Sequence, residues 1–488
     1  MLSYCFGKWL NSSDRNAYIE SRKIPEIVKM KHITIETIGK VCNGTLHFVK
    51  EEEKQREAQG VVLDSRLVKE GYIFIATKGE RVDGHSFIPQ VFEKKAMAVI
   101  CEELPAKNYG TCILVKDSFQ ALKDLAEYYR SLWSIPVIGI TGSVGKTSTK
   151  EFIAGVLSTK YRVGKTQGNY NNEVGLPLTI LSIKEEHEVA VLEMGISDFG
   201  EMHRLSKIAK PDICILTNIG QCHLENLGDR DGVLKAKSEI FDFLSPKGRI
   251  YVNGDDDKLT SLKEKWKERL LTFGRGEEND LIAYKESSMG LLGSCCSMKG
   301  LVELKDLKIH LPGEHMILNA LAATAVALQL GLTQEEIKEG MEKVERVSGR
   351  SNIIPLKDCI VIDDCYNANP VSMKSAIDLL QKAQGRRIAI LGDMFELGEK
   401  EKELHYQIGA YAVKKADILF CIGTLSFHMY EGAQNHKDKA TEIFYLEEKE
   451  KLYHYLEKIK KRGDTFLIKA SHGMGFSEII SWMEANFS

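Results

Sequence analysis

The run TGSVGKTSTKE, residues 141–151, follows the apolar stretch IPVIGI and leaves the backbone few options. The apolar stretch predicts a buried strand, the two glycines a tight turn, and TSTKEFIAGVLSTK a helix. A strand that turns through glycines into a helix points free backbone N–H groups at an anion, and the helix dipole favours negative charge there. The usual phosphate loop reads GxxxxGK[ST]; here Gly142 to Thr147 form a shorter GxxGKT. In such a loop Lys146 would neutralise β- and γ-phosphate charge and the Thr147 hydroxyl would ligate Mg²⁺. Thr141, Ser143, Val144, Gly145 and Ser148 complete the candidate nucleotide loop. An ordinary glycine turn is the alternative, which the strand, GKT and helix in succession disfavour.

A chain of 488 residues implies about three domains. Residues 1–30 read as an N-terminal extension too polar for a signal-peptide core, so either the first 29 residues are appended or Met30 is the start. Residues 31–115 mix short strands and turns, as in GVVLDSRLVKEGYIFIATKG, MAVICEE and CILVKD, and read as a small α/β domain. Residues 116–346 open with a helical stretch at 119–133 and carry the strand candidates IPVIGIT, HEVAVLEMG, PDICILTNIG and GRIYVNGDD. LNALAATAVALQLGL, residues 318–332, is apolar nearly all round and predicts a buried helix. Residues 347–488 alternate strands (CIVIDD, RRIAILGDM, DILFCIG, TEIFYLE, DTFLIKAS) with helical patterns, a Rossmann-like arrangement without GxGxxG. The expected fold class is α/β in three domains, the central one a parallel-sheet P-loop domain.

Composition excludes some functions. A net charge of −3 with no dense basic tract gives nucleic acid no footprint. No apolar run approaches the ~20 residues of a membrane span. The 11 cysteines are odd in number and form no CxxC pair, which suits a reduced, cytoplasmic enzyme. Size and charge are compatible with a monomer.

Glu193 closes the strand VAVLEMG, and His223 follows ICILTNIG. If both strands share the phosphate-loop sheet, both side chains emerge at one edge, where a carboxylate suits Mg²⁺. Taken alone, Glu193 is equally a plain strand-end acid, and Lys237 in LKAKSEIF reads as a solvated helix lysine. Asp363 and Asp364, with Tyr366, Asn367 and Asn369, crowd the end of CIVIDD, as a ligand edge or as a turn.

Taken in order, DSR…IFIATKGERVDGHSFI (64–88), TGSVGKTSTKE, NYNNEVGLPLT (169–179), LEMG, TNIGQCHLENLG, AKSEIF, NALAA, SGR (348–350), DDCYNANPVSM (363–373), LGDMFELG (391–398) and KASHGM (469–474) resemble the Mur ligase family of cytoplasmic peptidoglycan assembly. The similarity runs from about residue 31 to the C-terminus. The resemblance implies an ADP-forming amide ligase in cell-wall precursor synthesis. A peptide carboxylate attacks the γ-phosphate of ATP, and an amine displaces phosphate from the acyl phosphate. DDCYNANPVSM and LGDMFELG match the branch that adds D-alanyl-D-alanine to UDP-N-acetylmuramoyl-tripeptide. The alternatives are the sibling that adds the third amino acid, a folylpolyglutamate-type ligase, and an ATP-binding switch without chemistry.

The resemblance also implies roles. Lys146 would touch the transferred phosphoryl group; Thr147 and Glu193 would hold one Mg²⁺; His223 would help hold a second, with Lys237 as a carbamylated lysine. Asn319 would lie near adenine, and Arg350 and Asp364 near phosphate and ribose. Asp64, Ser65 and Arg66 would belong to a UDP-sugar site in the N-terminal domain. Asn171, Asn172, Tyr366, Asn367, Asn369, Lys469 and Ser471 would line the peptide and dipeptide path. Val144 stands where an amide or hydroxyl residue is frequent, Met316 where Asn is, and Ala470 and His472 where Gly and Arg are.

Overall fold

The computed structural model of the chain describes Met30 and residues 33–79, 82–437 and 441–487. The expectations about the first 29 residues lie outside the described residues. The chain divides into two compact units: residues up to Ala121 with Lys184–Glu186, and Leu122–Ile183 with His187–Ser488.

The first unit is built on β1 (Thr45–His47), β2 (Gly60–Val62), β3 (Tyr72–Ile75), β4 (Ala98–Cys101) and β5 (Cys112–Leu114), in the order β1-β5-β4-β3-β2. All neighbours are parallel except β1 and β5. The central strand AVIC is buried along its whole length, as expected of a parallel strand covered on both faces.

The second unit holds two sheets. One contains β6 (Val137–Thr141), β7 (Val163–Lys165), β8 (Val189–Glu193), β9 (Ile213–Leu216), β10 (Arg249–Asn253), β11 (Leu270–Gly274), β12 (Leu281–Ser288), β13 (Ser294–Gly300) and β14 (Leu304–Ile309). Their order is β14-β13-β12-β11-β10-β9-β6-β8-β7, parallel from β7 to β12, with β13 and β14 antiparallel. The strand β6 lies between β8 and β9, pairing Ile140 with Glu193 and Thr141 with Leu216, so three strand ends meet at one edge. Sequence alternation does not foretell β12–β14. Their exposed, mixed-polarity residues and two register shifts hide the period of two.

Residues 318–329 of the apolar run lie in a helix, His315–Gln329, that packs against the helix Lys146–Leu157, and the run's last three residues lie beyond its end. Its alanines allow close approach, and Leu321, Ala322 and Val326 join Phe152, Ile153 and Val156 in one core. The remaining sheet contains β15 (Asn352–Pro355), β16 (Cys359–Asp363), β17 (Arg387–Gly392), β18 (Ile418–Ile422), β19 (Glu442–Leu446) and β20 (Asp464–Lys469), in the order β15-β16-β20-β17-β18-β19. Only β15 is antiparallel. Separate apolar cores cover its two faces, one around Met373, Ile377 and Ile408, the other around Phe466, Phe476 and Ile479. This is the doubly wound arrangement that the alternating pattern predicts.

The helix pairing has a measurable weight. Leu321 is fully buried, so Leu321→Ala should cost about 2–5 kcal/mol, seen as a lower urea midpoint at unchanged slope. A midpoint equal to the parent's would mean that this helix lies outside the cooperative core.

Candidate active site

The loop after β6 is fixed by the segment after β9. Gly142 has φ +147, and a Cβ there would lie 2.0 Å from Thr217 Oγ1, so no other residue fits. Ser143 N donates to Asn218 O at 3.0 Å and Val144 N to Asn218 Oδ1 at 3.0 Å. Thr217 Oγ1 and Asn218 Nδ2 both donate to Val144 O, at 2.6 and 2.9 Å. Both backbone polar groups of Val144 are therefore engaged within the protein. Gly145, at φ +86, turns the chain into the helix Lys146–Leu157. Lys146 keeps some access to solvent through a cavity, yet protein encloses its amine, and Nζ donates back to Gly142 O at 2.8 Å. Burial, and then the charge of Lys237, push its pKa down to about 8.

Glu193, at the end of β8, is 1% exposed. Its Oε1 accepts from Thr147 Oγ1 at 3.2 Å and from Asn171 Nδ2 at 2.8 Å. Its Oε2 accepts no hydrogen bond, although Lys150 Nζ lies 3.9 Å away. Arg350, from the segment before β15, donates from Nη2 to Thr147 Oγ1 at 3.3 Å and stacks its guanidinium 4.0 Å above the Tyr366 ring. Asn319 Oδ1 accepts from Thr149 Oγ1 at 3.0 Å, and its Nδ2 donates to Met316 Sδ at 3.4 Å. The methionine thus still contacts Asn319.

The reading of Lys237 as a solvated helix lysine is overturned. It is 0% exposed, and its Nζ has no hydrogen-bond partner. Lys237 follows buried Val233 by four residues and precedes buried Ile240 by three, so it shares their inward face. That spacing is visible in the sequence. Burial lowers its pKa. His223 caps a short helix, Leu224–Leu227, at φ 51. Its Nδ1 lies 2.6 Å from Glu396 Oε2, an ion pair by distance that is not aligned as a hydrogen bond.

At the end of β16, Asp363 Oδ2 accepts from Gly349 N at 2.8 Å, while Asp364 pairs with Lys469 Nζ at 2.6 Å and accepts from Ser351 N at 2.8 Å. Lys469 also donates to Asn367 O at 2.8 Å. Both partners are buried, so Lys469 is a neutralised cation and not a free one. Asn369 caps the helix Pro370–Leu380, and Asn172 Oδ1 accepts from Gly175 N at 2.8 Å. Ser471 Oγ accepts from Phe395 N at 2.9 Å.

Ser143, Val144, Gly145, Lys146, Ser148, Asn171, Asn172, Glu193, His223, Asn319, Arg350, Asp364, Tyr366, Asn367, Asn369 and Lys469 all line one cavity of about 620 Å³. Thr141, Gly142, Thr147, Lys237 and Ser471 are not among its lining residues. Sequence reasoning passed over Asn218, Asn253, His315 and Ser372, which also line it; Asn218 stood inside the quoted TNIG. In the N-terminal unit Asp64 Oδ1 accepts from Arg66 N at 2.9 Å, and the Arg66 guanidinium grips both carboxylate oxygens at 2.6–3.0 Å. Those hydrogen bonds hold Asp64 down at about 2. Ser65 between them is nearly buried, and its carbonyl accepts from Lys94 Nζ at 2.9 Å.

Among the described residues no three His, Cys, Asp or Glu side chains gather as a metal site. Yet Glu193 Oε2, His223 Nδ1 and Lys237 Nζ are buried without hydrogen bonds. A buried polar atom without a partner costs about 1–3 kcal/mol; the unused Glu193 oxygen is a hard donor of the kind a divalent cation takes, whereas the Lys237 amine could serve one only after losing its charge. No described helix is long and apolar enough to cross a membrane, and none of the described cysteines is in a disulfide.

A phosphate loop, a buried carboxylate on the neighbouring strand and an arginine from a second parallel sheet, all at one cavity, define a nucleotide-dependent α/β enzyme. Comparison narrows this class. The Mur ligase middle domain matches residues 140–327, the glutamate ligase domain of Mur ligases residues 349–472, and the Mur ligase family catalytic domain residues 57–130. The UDP-N-acetylmuramoyl-tripeptide–D-alanyl-D-alanine ligase of Bacillus subtilis is 38% identical over 454 residues, which are 92% of this chain and 97% of that one. The crystal structure of MurF from Acinetobacter baumannii superposes with TM-score 0.85 at 30% identity, covering 94% of this chain and all of that one. MurF ligase from Thermotoga maritima in complex with ADP gives TM-score 0.76 at 31% identity, covering 88% and 97%. The chain belongs to the Mur ligase family and is an ATP-dependent ligase.

Two outcomes follow from the geometry. Gly142→Ala should abolish ADP binding in a calorimetric titration, because its Cβ would displace Thr217; binding at parental strength would refute this account of the loop. His405 is fully buried; its Nε2 accepts from Met394 N at 2.9 Å and its Nδ1 lies 2.6 Å from Glu401 O. The ring is therefore neutral, and burial lowers its pKa from 6.5. As pH falls below about 6.5 the unfolded chain takes up a proton that the folded chain refuses, so stability is lost on that side. From pH 7 to 5 the parent should lose more stability than His405→Gln; parallel curves would exclude this contribution.

Proposed function

We propose that this chain joins D-alanyl-D-alanine to UDP-N-acetylmuramoyl-tripeptide, with ATP converted to ADP and phosphate, in cytoplasmic cell-wall precursor synthesis. The supporting observation is the convergence of residues from two sheets on one cavity. Lys146, Thr147 and Glu193 come from the phosphate-loop sheet, while Arg350, Asp364 and Tyr366 come from the second. The substrate pair follows the names of relatives that match nearly the whole chain.

A carboxylate is a poor electrophile, so its oxygen first attacks the γ-phosphorus of ATP as ADP leaves. The amine of the dipeptide then attacks the acyl phosphate carbon, phosphate departs and an amide remains. The Lys146 ammonium and the Arg350 guanidinium offset charge on the transferred group. Thr147 and Glu193 would hold one magnesium ion, and His223 with carbamylated Lys237 a second. The ions would neutralise phosphate charge and align the reacting oxygens. Lys237 fits the assignment: a neutral buried amine adds carbon dioxide, releases a proton and becomes a carboxylate-like ligand. Asn319 faces adenine, and Asp364 ribose. Asn171, Asn172, Tyr366, Asn367 and Asn369 line the peptide path. Lys469 lines that path while pairing with Asp364, and Ser471 shapes it from behind through Phe395. Asp64, Ser65 and Arg66 serve the UDP-sugar.

Phosphate release should require both UDP-muramoyl-tripeptide and D-alanyl-D-alanine, and supplying the diaminopimelate and lysine tripeptides separately identifies the acceptor. Release with a shorter UDP-peptide and a free amino acid would move the chain to the sibling branch. Lys237→Ala should lower kcat roughly 100-fold while leaving ADP affinity near parental, with partial rescue by small carboxylate anions. Wild-type turnover in that variant would remove the role given to Lys237.

A further inference from the structure

We propose that Glu396 is a positioning residue: it reaches from the C-terminal sheet to hold the His223 imidazole, so that docking of the loop after β17 sets the histidine. The inference rests on His223 facing a metal ion, as read above.

The loop is built to deliver this carboxylate. Asp393 accepts from Ser426 N at 2.7 Å and from Ser426 Oγ at 2.6 Å. Met394 N donates to His405 Nε2, and Phe395 N to Ser471 Oγ, each at 2.9 Å. Three consecutive residues are thus anchored by two helices and a loop that flank the C-terminal sheet. Glu396 then adopts φ 62, a left-handed conformation uncommon for a residue with a Cβ. Its partner His223 is left-handed too, at φ 51. Two left-handed residues thus bring Oε2 within 2.6 Å of Nδ1. Two residues on, Gly398 lies against the helix Leu224–Leu227, where a Cβ would sit 3.4 Å from the backbone of Glu225.

The Glu396 side chain is 56% exposed, so the pair adds little through charge alone. Its effect is orientation. A carboxylate beside Nδ1 fixes that edge of the ring against the loop and leaves Nε2 as the nitrogen free for a ligand, and His223 lines the cavity. Carboxylates behind ligating histidines act in this way, and their loss typically lowers metal affinity or activity 10–100-fold.

The test uses the full chain with ADP, Mn²⁺ as a spectroscopic probe and phosphate release as the second readout. Glu396→Ala should weaken Mn²⁺ binding and lower kcat roughly tenfold each, with KM for ATP nearly unchanged. Glu396→Gln should recover much of both, because it keeps an oxygen of the same reach beside Nδ1. If Glu396→Ala lowers the melting temperature, the Gln variant decides, since it keeps the shape of the loop. Parental Mn²⁺ affinity in Glu396→Ala, alongside weakened binding in His223→Ala, would overturn the proposal and leave the site reading intact. Parental affinity in both would overturn the site reading as well.

Discussion

The strand β6 hydrogen-bonds to β8 on one side and β9 on the other, and the site depends on that pairing. It sets Thr141 beside Leu216 and Ile140 beside Glu193, so the phosphate loop, the carboxylate and the TNIG segment leave the sheet together. Thr217 then comes so near that position 142 must be glycine. Asn218 fastens the loop through both polar groups of Val144. A strand slipped by two residues would keep every side chain on its own face and lose all of these contacts. Register, more than any single side chain, therefore creates the candidate nucleotide site.

The second sheet completes what the first begins. Arg350 is braced by the Tyr366 ring and touches Thr147. Tyr366 is held in turn where Asp364 pairs with Lys469 at the adjoining ends of β16 and β20. A buried ion pair of this kind adds little net stability, since desolvation offsets attraction. What it supplies is a fixed origin for the segment that carries Tyr366, Asn367 and Asn369. The cavity therefore draws its lining from both sheets.

Much of this was legible in the sequence because it is local. Strand, glycine loop and GKT are contiguous, and β6, β8, β9, β10 and β16–β20 each announce themselves by apolar runs ending in small or polar residues; the short β15 did not. The antiparallel strands β12–β14 were not legible, since exposed polar residues and two register shifts erase their alternation. Pairings between distant segments were also hidden. Nothing near Lys469 says that Asp364 neutralises it, and nothing near Glu396 says that it meets His223. Lys237 is a different case. Its inward position follows from Val233 and Ile240, a helical spacing that the charge of the residue obscured.

That lysine also concentrates the electrostatic tension of the site. Lys146 and Lys237 are both enclosed, and the charge of Lys237 lowers the pKa of Lys146. Two ammonium groups so close in a poorly solvated region resist being charged together. Lys146 has the carbonyl of Gly142 to donate to, whereas Lys237 has no acceptor. The unpaired amine is therefore the one whose neutral form costs least. A neutral amine is also the form that adds carbon dioxide, and the resulting carbamate would reverse the local sign of charge. It would pair with the remaining ammonium and face the same cations as Glu193. In the proposed reading, burial that would destabilise an ordinary lysine is what makes this one convertible, and a triphosphate would complete the balance by meeting the charge that stays on Lys146.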